Sequence, residues 1–348
     1  MSTIAAQQLQ DFIARTLAAV DLPPADAAAV AELMTRADLI GADGHGVFRL
    51  PQYVRRIRNK GINVRPNIRV VGEKAAMALV DGDNGMGHLV MRFAAQTAIA
   101  KAKTAGVAWV GVNRSNHAGP ASLYASMPLA HDMAGLYLAV GNANHLPPWG
   151  GIDMLLSTNP LAVAIPTQDE PPIVLDMATT VAAYGKVKTK AQRGETMPQG
   201  WMIDRQGKPL TDPKRADEGF LVPIGGYKGY GLALVIGLLA GTLNGAAMAR
   251  ETIDFNKDEV TVTNTGQAIV TIDIAAFGPV PEFKRKVDDV ARQMRASARL
   301  PGVERIWLPG EQSHAKRAER SAKGIPLPAP LRAQLDQLAS DLKIAPLS

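Results

Sequence analysis

The chain has no cysteine among its 348 residues, which excludes a disulfide framework, a thiolate nucleophile and any cysteine-ligated metal. Aromatic residues are sparse at 5%, so the base-stacking platforms of a single-strand nucleic-acid binder are missing. No apolar run reaches the roughly 18 to 20 residues of a membrane span; Leu232 to Leu243 falls short. The N-terminus, Met1 to Val20, carries Asp11 and Arg15 within an amphipathic pattern and lacks the charged start and unbroken apolar stretch of a signal peptide. A cytoplasmic protein with no membrane or nucleic-acid partner is the expectation. No two histidines stand at metal-ligand spacing with a carboxylate, so no metal site is expected.

The Rossmann fingerprint is missing as well. Gly-x-Gly-x-x-Gly after a strand marks the tight βα turn that receives a pyrophosphate. Gly82-Asp83-Asn84-Gly85-Met86-Gly87 and Gly225-Gly226-Tyr227-Lys228-Gly229-Tyr230-Gly231 both have other spacings.

What is present is ordinary globular material: 47% hydrophobic and 20% charged residues, enough to build a large core. Basic residues number 38 against 32 acidic ones, a formal charge of +6. That mild excess suits steering of anionic substrates and phosphorylated cofactors. The one local basic cluster, Lys316, Arg317, Arg320 and Lys323 around Glu319, has helical spacing and reads as a solvated helix face.

Helical periodicity opens the chain, with Leu9, Phe12, Ile13, Leu17 and Val20 on one stripe of Gln8 to Val20. A second helix runs from Pro23-Pro24 to about Leu39, and a third covers Leu50 to Asn59. Strand patterns at Met77 to Val80, Val107 to Val112, Leu136 to Val140, Leu161 to Ile165, Ile173 to Leu175 and Ala268 to Ile274 then alternate with helices. The helices are placed at His88 to Ala105 (stopped by Gly106), Ala121 to His131, Thr179 to Arg193, Gly229 to Leu243, Glu282 to Arg299 and Pro330 to Leu342. Asp204 to Gly207 reads as a turn. The pattern predicts an α/β fold, a central sheet covered by helices, with a helical layer supplied by both termini. The expected division is a helical N-terminal part at 1–70, an α/β part at 71–300 and a segment at 301–348 that returns to the helical part.

Three segments carry chemistry. In Asp43-Gly44-His45-Gly46-Val47-Phe48-Arg49, a histidine precedes an arginine by four positions. Imidazole passes a proton near neutral pH, and a guanidinium clamps a carboxylate through two parallel bonds. Those are the two tasks in reducing a 2-oxo acid; the bland alternative is a capping turn with a solvent-exposed histidine. Asn113 to Pro120 lies between a strand and a helix, where polar groups face a ligand crevice or simply form a polar loop. Gly225 to Gly231 follows an extended segment and opens a helix. Its amides, with Lys228 as counter-charge, suit a phosphate, or the glycines only permit tight packing. His88, His131 and His314 fall within helical patterns and read as surface or packing residues. His145 sits in a polar loop and is harder to assign.

Taken in order, these segments resemble the malate/L-lactate dehydrogenase family, which includes ureidoglycolate and sulfolactate dehydrogenases, diketogulonate reductase and piperideine-2-carboxylate reductase. The resemblance spans about Ala37 to Gly310. Besides the three segments it is carried by Ala37-Asp38-Leu39, Pro148-Trp149-Gly150-Gly151, Ser157-Thr158-Asn159-Pro160, Asp176-Met177-Ala178-Thr179-Thr180 and Leu308-Pro309-Gly310-Glu311. It implies a non-Rossmann NAD(P)-binding fold with a mixed central sheet and a discontinuous helical domain, assembled as a homodimer. It further implies hydride transfer between NAD or NADP and a small 2-oxo/2-hydroxy acid, or a cyclic imine as the alternative substrate. His45 matches the family's proton donor, and Arg49 and Thr158 match substrate contacts. His117 matches a position assigned to cofactor in some members and to a proton acceptor in others. Ala118, Gly119, Pro120, Ala121, Asp176, Met177, Ala178, Tyr227, Lys228, Leu308, Pro309, Gly310, Glu311 and Gln312 match cofactor contacts.

Two positions depart from the family. Gly44 stands where members commonly carry serine, and Lys186 aligns with the aspartate that partners that serine in the cyclic-imine reductases. A hydroxyl–carboxylate relay on His45 is therefore not expected, which favours the 2-hydroxy acid over the imine. A catalytically silent ligand-binding relative is the reading from another class; retention of His45, Arg49 and Lys228 weighs against it.

Overall fold

The computed structural model describes residues 2–347. A short strand β1 (Ser2–Ile4) leads into α1 (Ala6–Ala18), α2 (Pro24–Leu39) and α3 (Leu50–Arg58). Pro24 and Pro51 sit in the first turns of α2 and α3, where a missing N–H costs nothing because that donor has no partner within the helix. On α1 the residues at helical spacing, Leu9, Phe12, Ile13 and Leu17, are fully buried. Their packing partners come from both ends of the chain. Leu50, Tyr53 and Val54 of α3 join Ile325 and Leu327 of β12 (Ile325–Leu327) and Leu335 and Leu338 of α10 (Ala329–Leu342) in one apolar cluster. β1 pairs antiparallel with β12 from Ser2↔Leu327 to Ile4↔Ile325. Neither strand is legible in the sequence, since three residues carry no period.

A seven-stranded sheet forms the centre of the molecule. Its members are β2 (Arg69–Lys74), β3 (Met77–Asp81), β4 (Val107–Ser115), β5 (Met133–Ala139), β6 (Leu161–Ile165), β7 (Ile173–Met177) and β11 (Thr265–Asp273). The order is β2-β3-β4-β11-β5-β6-β7. Only β3–β4 is parallel; α4 (Gly87–Ala105) is the crossover that a parallel pair needs. Gly106 ends α4 at φ 79°, the left-handed conformation expected there. The mixed sheet agrees with the expected fold class.

Alternation along the strands divides the two faces. Val110, Val112, Tyr137, Ala139 and Ile269 pack with Val90, Met91, Ala94 and Ala98 of α4. Leu138, Val140 and Ala268 face the other way, against Ile236 and Ala240 of α7 (Tyr227–Ala240). Outside the main sheet, α6 (Tyr184–Arg193) covers a three-stranded sheet of β8 (Met202–Asp204), β9 (Pro209–Leu210) and β10 (Gly219–Leu221), with Val187, Met202 and Leu221 as its core. Asp204 accepts from the amides of Gln206 and Lys208 at 2.9 Å each and closes the β8–β9 turn read from the sequence. The chain finishes with α8 (Val280–Ala296) and α9 (Glu311–Lys323) ahead of β12 and α10. Among the described residues, no helix is long and apolar enough to cross a membrane.

Two helices differ from the sequence expectation. The one read at Ala121 to His131 is α5 (Ser122–Ala125) followed by a separate 3₁₀ turn, Met127–His131, because Pro128 cannot continue the α-helical ladder. The one read from Thr179 begins only at Tyr184. Thr179 instead donates its N–H and its hydroxyl to the carbonyl of Thr158, both at 2.9 Å, and Thr180 bridges to Pro223.

The shared terminal core makes α10 a structural element rather than a tail. Leu335→Ala, at a fully buried position, is expected to cost about 2–5 kcal/mol of unfolding free energy. Gln337→Ala, on the exposed face, should stay within roughly 0.5 kcal/mol of the parent. Denaturant unfolding of the two variants measures the difference, and equal midpoints would show that α10 is dispensable.

Candidate active site

The segment between α2 and α3 forms two 3₁₀ turns, Asp43–His45 and Val47–Arg49. Short turns of this kind hold their shape only when something outside them fixes it. Here the buried carboxyl of Asp38 accepts from the Val47 amide at 2.8 Å. A Cβ on Gly46 would stand 2.0 Å from Asp38 Oδ1, so glycine is required for the carboxyl to reach beneath the turn. Burial pushes the Asp38 pKa up to about 8. From α9, Arg320 donates to the Asp38 carbonyl and to both carboxylate oxygens of Asp43. Arg320 is only 8% exposed, which corrects its assignment to a solvated basic face. A guanidinium at helical spacing among lysines gives no sequence sign that a distant carboxylate has claimed it.

His45 leaves this turn with Nδ1 3.1 Å from His117 Nε2, and the two rings are within 8° of parallel. His117 follows the end of β4, and its Nδ1 lies 2.5 Å from the Tyr53 hydroxyl. Phe255 packs on both the His117 and Tyr53 rings. Burial, with Arg49 as the second cause, pushes the His45 pKa down to about 4. His117 is held well below its ordinary value by burial and then by His45, while burial raises Tyr53. The phenol therefore keeps its proton, and the chain runs in either of two neutral polarities. With the Tyr53 O–H donating, His117 Nε2–H donates to His45 Nδ1 and leaves a hydrogen on His45 Nε2. In the opposite sense, His117 Nδ1–H donates to the Tyr53 oxygen and the His45 Nε2 lone pair is free. One polarity serves a carbonyl oxygen and the other an alcohol.

Arg49 projects from the same turn. Its Nε donates to the Gly44 carbonyl at 2.9 Å, and Nη1 donates to Gln52 Oε1 at 2.7 Å and Asn256 Oδ1 at 3.0 Å. All three acceptors are neutral. Among the described residues Nη2 has no acceptor, and the guanidinium has no carboxylate partner. A half-buried cation aimed by neutral groups is suited to an incoming anion.

The remaining sequence-derived positions are strung together by hydrogen bonds. Ala118 and Ala121 are buried, and Gly119 lies over the His88 ring, its Cβ position 3.3 Å from Nε2. Pro120 leads to Ser122, whose amide donates to Asp176 at 2.8 Å. Met177 and Ala178 continue to Thr179, bonded to Thr158. The Thr179 carbonyl then accepts from Ile224 at 3.0 Å, just before Gly225. Gly225 and Gly226, at φ 59° and 66°, open α7 with Tyr227 and Lys228 exposed. Pro309 accepts from Val174 of β7 at 3.0 Å, which docks the Leu308 to Gln312 turn on the sheet edge. The Glu311 carboxylate is occupied by the Leu308 amide and Arg295.

The match of chain to family rests on its whole length. Residues 4–336 match the family described as malate/L-lactate dehydrogenase. The chain belongs to that family. A malate dehydrogenase of Pyrococcus horikoshii is 37% identical over 341 residues, covering 95% of this chain and 93% of that one. A solved malate dehydrogenase of the OT3 strain of that organism superposes with a TM-score of 0.91 at 34% identity, covering 99% and 97% of the two chains. A solved Δ1-piperideine-2-carboxylate reductase from Pseudomonas syringae gives 0.86 at 29% identity, covering 97% and 100%. The protein is accordingly an oxidoreductase of the 2-hydroxy acid dehydrogenase class.

Gly44 is exposed and brings no side chain to the His45 ring, and Lys186, exposed on α6, forms no hydrogen bond to it among the described residues. The hydrogen-bonding partner of His45 is His117, backed in turn by Tyr53. Tyr53 was read only as part of the third helix, although it stands four residues after Arg49 on the same helical face. Phe255 and Asn256 had no sequence signal at all, because they arrive from a loop some two hundred positions away. His88, read as surface or packing, is fully buried beside Tyr53.

A pH profile checks the environment of His45. With its pKa pushed down to about 4, the imidazole is neutral and able to accept an alcohol proton over the whole neutral range. As pH falls through that value, protonation removes the acceptor. kcat/KM for hydroxy-acid oxidation, which reports the free enzyme, should therefore stay level through the ordinary histidine range near 6.5 and fall only well below it. An acid limb between about 6 and 7 would contradict the buried geometry.

Proposed function

We propose that this chain interconverts a small 2-hydroxy acid and the matching 2-oxo acid with NAD or NADP, Arg49 holding the substrate carboxylate and His45 exchanging a proton with the substrate oxygen. The observation that carries the reading is Arg49: a half-buried guanidinium without a carboxylate partner, fixed on the turn that presents His45. A carboxylate on Arg49 fixes the neighbouring carbon, and so the hydroxyl or carbonyl oxygen, within reach of His45 Nε2. In the oxidative direction that nitrogen accepts the hydroxyl proton, and in the reductive direction a proton on it passes to the carbonyl oxygen. Binding of the carboxylate offsets the Arg49 charge that depresses His45, and so eases protonation when reduction requires it. Thr158, beside Thr179, is read as a further substrate contact.

The residues along the rim fit a dinucleotide. Nothing lies within 4 Å of a Cβ placed on Gly225, leaving the start of α7 open where helix amides favour a phosphate. Lys228 is exposed there and forms no ion pair among the described residues. The nicotinamide, when bound, supplies or takes up the hydride. The segments at 117–121, 176–178, 227–228 and 308–312 would hold it, with Gly119 at φ 83° letting the loop after β4 pack on His88. The missing serine–aspartate pair on His45 favours the hydroxy acid over the cyclic imine. The same reading includes a homodimer: Leu232, Val235 and Leu238, exposed on the outer side of α7 at 36%, 51% and 45%, are a surface that a second copy would cover.

Two substitutions separate the two binding tasks. Arg49→Lys keeps the charge but loses the rigid guanidinium through which Gly44, Gln52 and Asn256 aim the free Nη2, and should lower kcat/KM by about ten- to a hundredfold with cofactor affinity unchanged. Lys228→Ala should do the reverse, weakening dinucleotide binding by roughly one to two decades in calorimetry. Normal kinetics in the first variant would remove Arg49 from the site, and unchanged binding in the second would return Gly225 to Gly231 to a packing role. Light scattering addresses the assembly: the parent should be dimeric, and Val235→Glu with Leu238→Glu should make it monomeric. A monomeric parent would sink the dimer.

A further inference from the structure

A second cation stands beside Arg49, and proton exchange at His45 gives it nothing to do. Lys188, half-buried on α6, forms no ion pair among the described residues. Its one hydrogen bond there is a long one, 3.5 Å to Asn256 Oδ1. That oxygen already accepts from Arg49 Nη1 at 3.0 Å. Two like charges thus converge on one neutral amide oxygen, no farther apart than those two bonds laid end to end. Burial and then the Arg49 charge lower the pKa of Lys188. An ammonium so placed is stabilised by a shared anion.

The surroundings are built rather than open. Lys188 and Asn256 line a cavity of about 220 Å³ together with His145, Tyr184, Asp217 and Asp254. The Tyr184 ring stacks on His145 at 4.0 Å and 13°, with Lys188 Nζ 5.5 Å from its centroid. The ammonium is therefore steered by an aromatic face and an amide. Two carboxylates share the wall and support the Lys188 charge against Arg49, but neither forms an ion pair with it among the described residues: Asp254 Oδ1 accepts from the Asn256 N–H and side-chain amide at 2.9 and 3.2 Å, and Asp217 Oδ1 accepts from the Tyr184 hydroxyl at 3.4 Å. Lys257 adds a further positive charge to the wall.

We infer that Lys188 binds a second, distal anionic group of the substrate, so that the preferred substrate is a short dianionic 2-hydroxy or 2-oxo acid with one carboxylate on Arg49 and the other on Lys188. This rests on the assignment of Arg49 and His45 above. A monoanionic acid of the same length leaves the ammonium half-buried with no anion bound to it. Discrimination therefore comes from a bond gained and from a desolvated charge left without a partner.

The test compares malate with 2-hydroxybutyrate, matched in carbon number, in the full-length protein with NAD and NADP, for the parent, Lys188→Met and Lys188→Arg. The malate-to-hydroxybutyrate ratio of kcat/KM should fall about ten- to a hundredfold in Lys188→Met and recover in large part in Lys188→Arg. Turnover of the monoanion reports that the variant is folded. A ratio within about twofold of the parent, or a parent that prefers the monoanion, overturns the inference and leaves the dehydrogenase reading standing. Calorimetry with the unreactive dianion succinate and the monoanion butyrate distinguishes the opposite failure. If neither hydroxy acid is turned over, succinate binding that depends on Lys188 upholds the distal anion site while the reading of the reaction fails. Absence of such binding in that case removes both.

Discussion

A carboxyl group buried beneath a glycine holds the turn that carries His45 and Arg49 in place. Asp38 closes α2, reaches under Gly46 and takes the Val47 amide, and Arg320 clasps the same corner from the far end of the chain. Two consecutive 3₁₀ turns have little stability of their own, so the positions of His45 and Arg49 are inherited from this contact. The arrangement is costly. A buried acid with a raised pKa, a guanidinium drawn in from solvent and a glycine with reduced freedom together fix the positions of His45 and Arg49, the two side chains proposed to act at neighbouring atoms of the substrate. It also explains why the C-terminal helices belong structurally with the first three: α9 supplies the clasp, and α10 supplies part of the core on which α1 and α3 rest.

The electrostatics of the site follow from a shortage of negative charge. Arg49 is aimed by a carbonyl and two amide oxygens, Lys188 by an amide and an aromatic ring, and the histidines by each other and a phenol. After burial, the Arg49 charge depresses His45, His117 and Lys188, opposed at Lys188 by the carboxylates of Asp254 and Asp217. An anionic substrate reverses several of these shifts at once. In the proposed reaction, substrate binding and proton handling would thus be coupled through charge alone, with no conformational change required.

The proposed dinucleotide rim is assembled differently from a Rossmann site. There one βα turn with closely spaced glycines does most of the work. Here the loop after β4, the end of β7, the first turn of α7 and the turn before α9 are linked in series by hydrogen bonds, with the Asp176 carboxylate and Thr179 as the joints. Thr179 takes part only because the chain stays extended there, which is also why α6 starts five residues later than periodicity suggests.

Much of this was written in local sequence. The stripes of α1 and α10, the stop at Gly106, the alternating strands and the α/β layering all follow from side-chain period and turn chemistry, which act over a few residues. The pairing of His45 with Arg49 was legible for the same reason, since both lie on one short turn, and the ordered motifs were enough to place the chain in its family. What the tertiary structure alone decided are contacts between residues far apart in the chain. Arg320 leaves a basic helix face for Asp43, Tyr53 turns from a core position into a partner of His117, and Lys188 meets Arg49 over the side chain of Asn256. No period or spacing encodes these, because burial, charge and hydrogen bonding between distant segments are set only when the sheet brings those segments together.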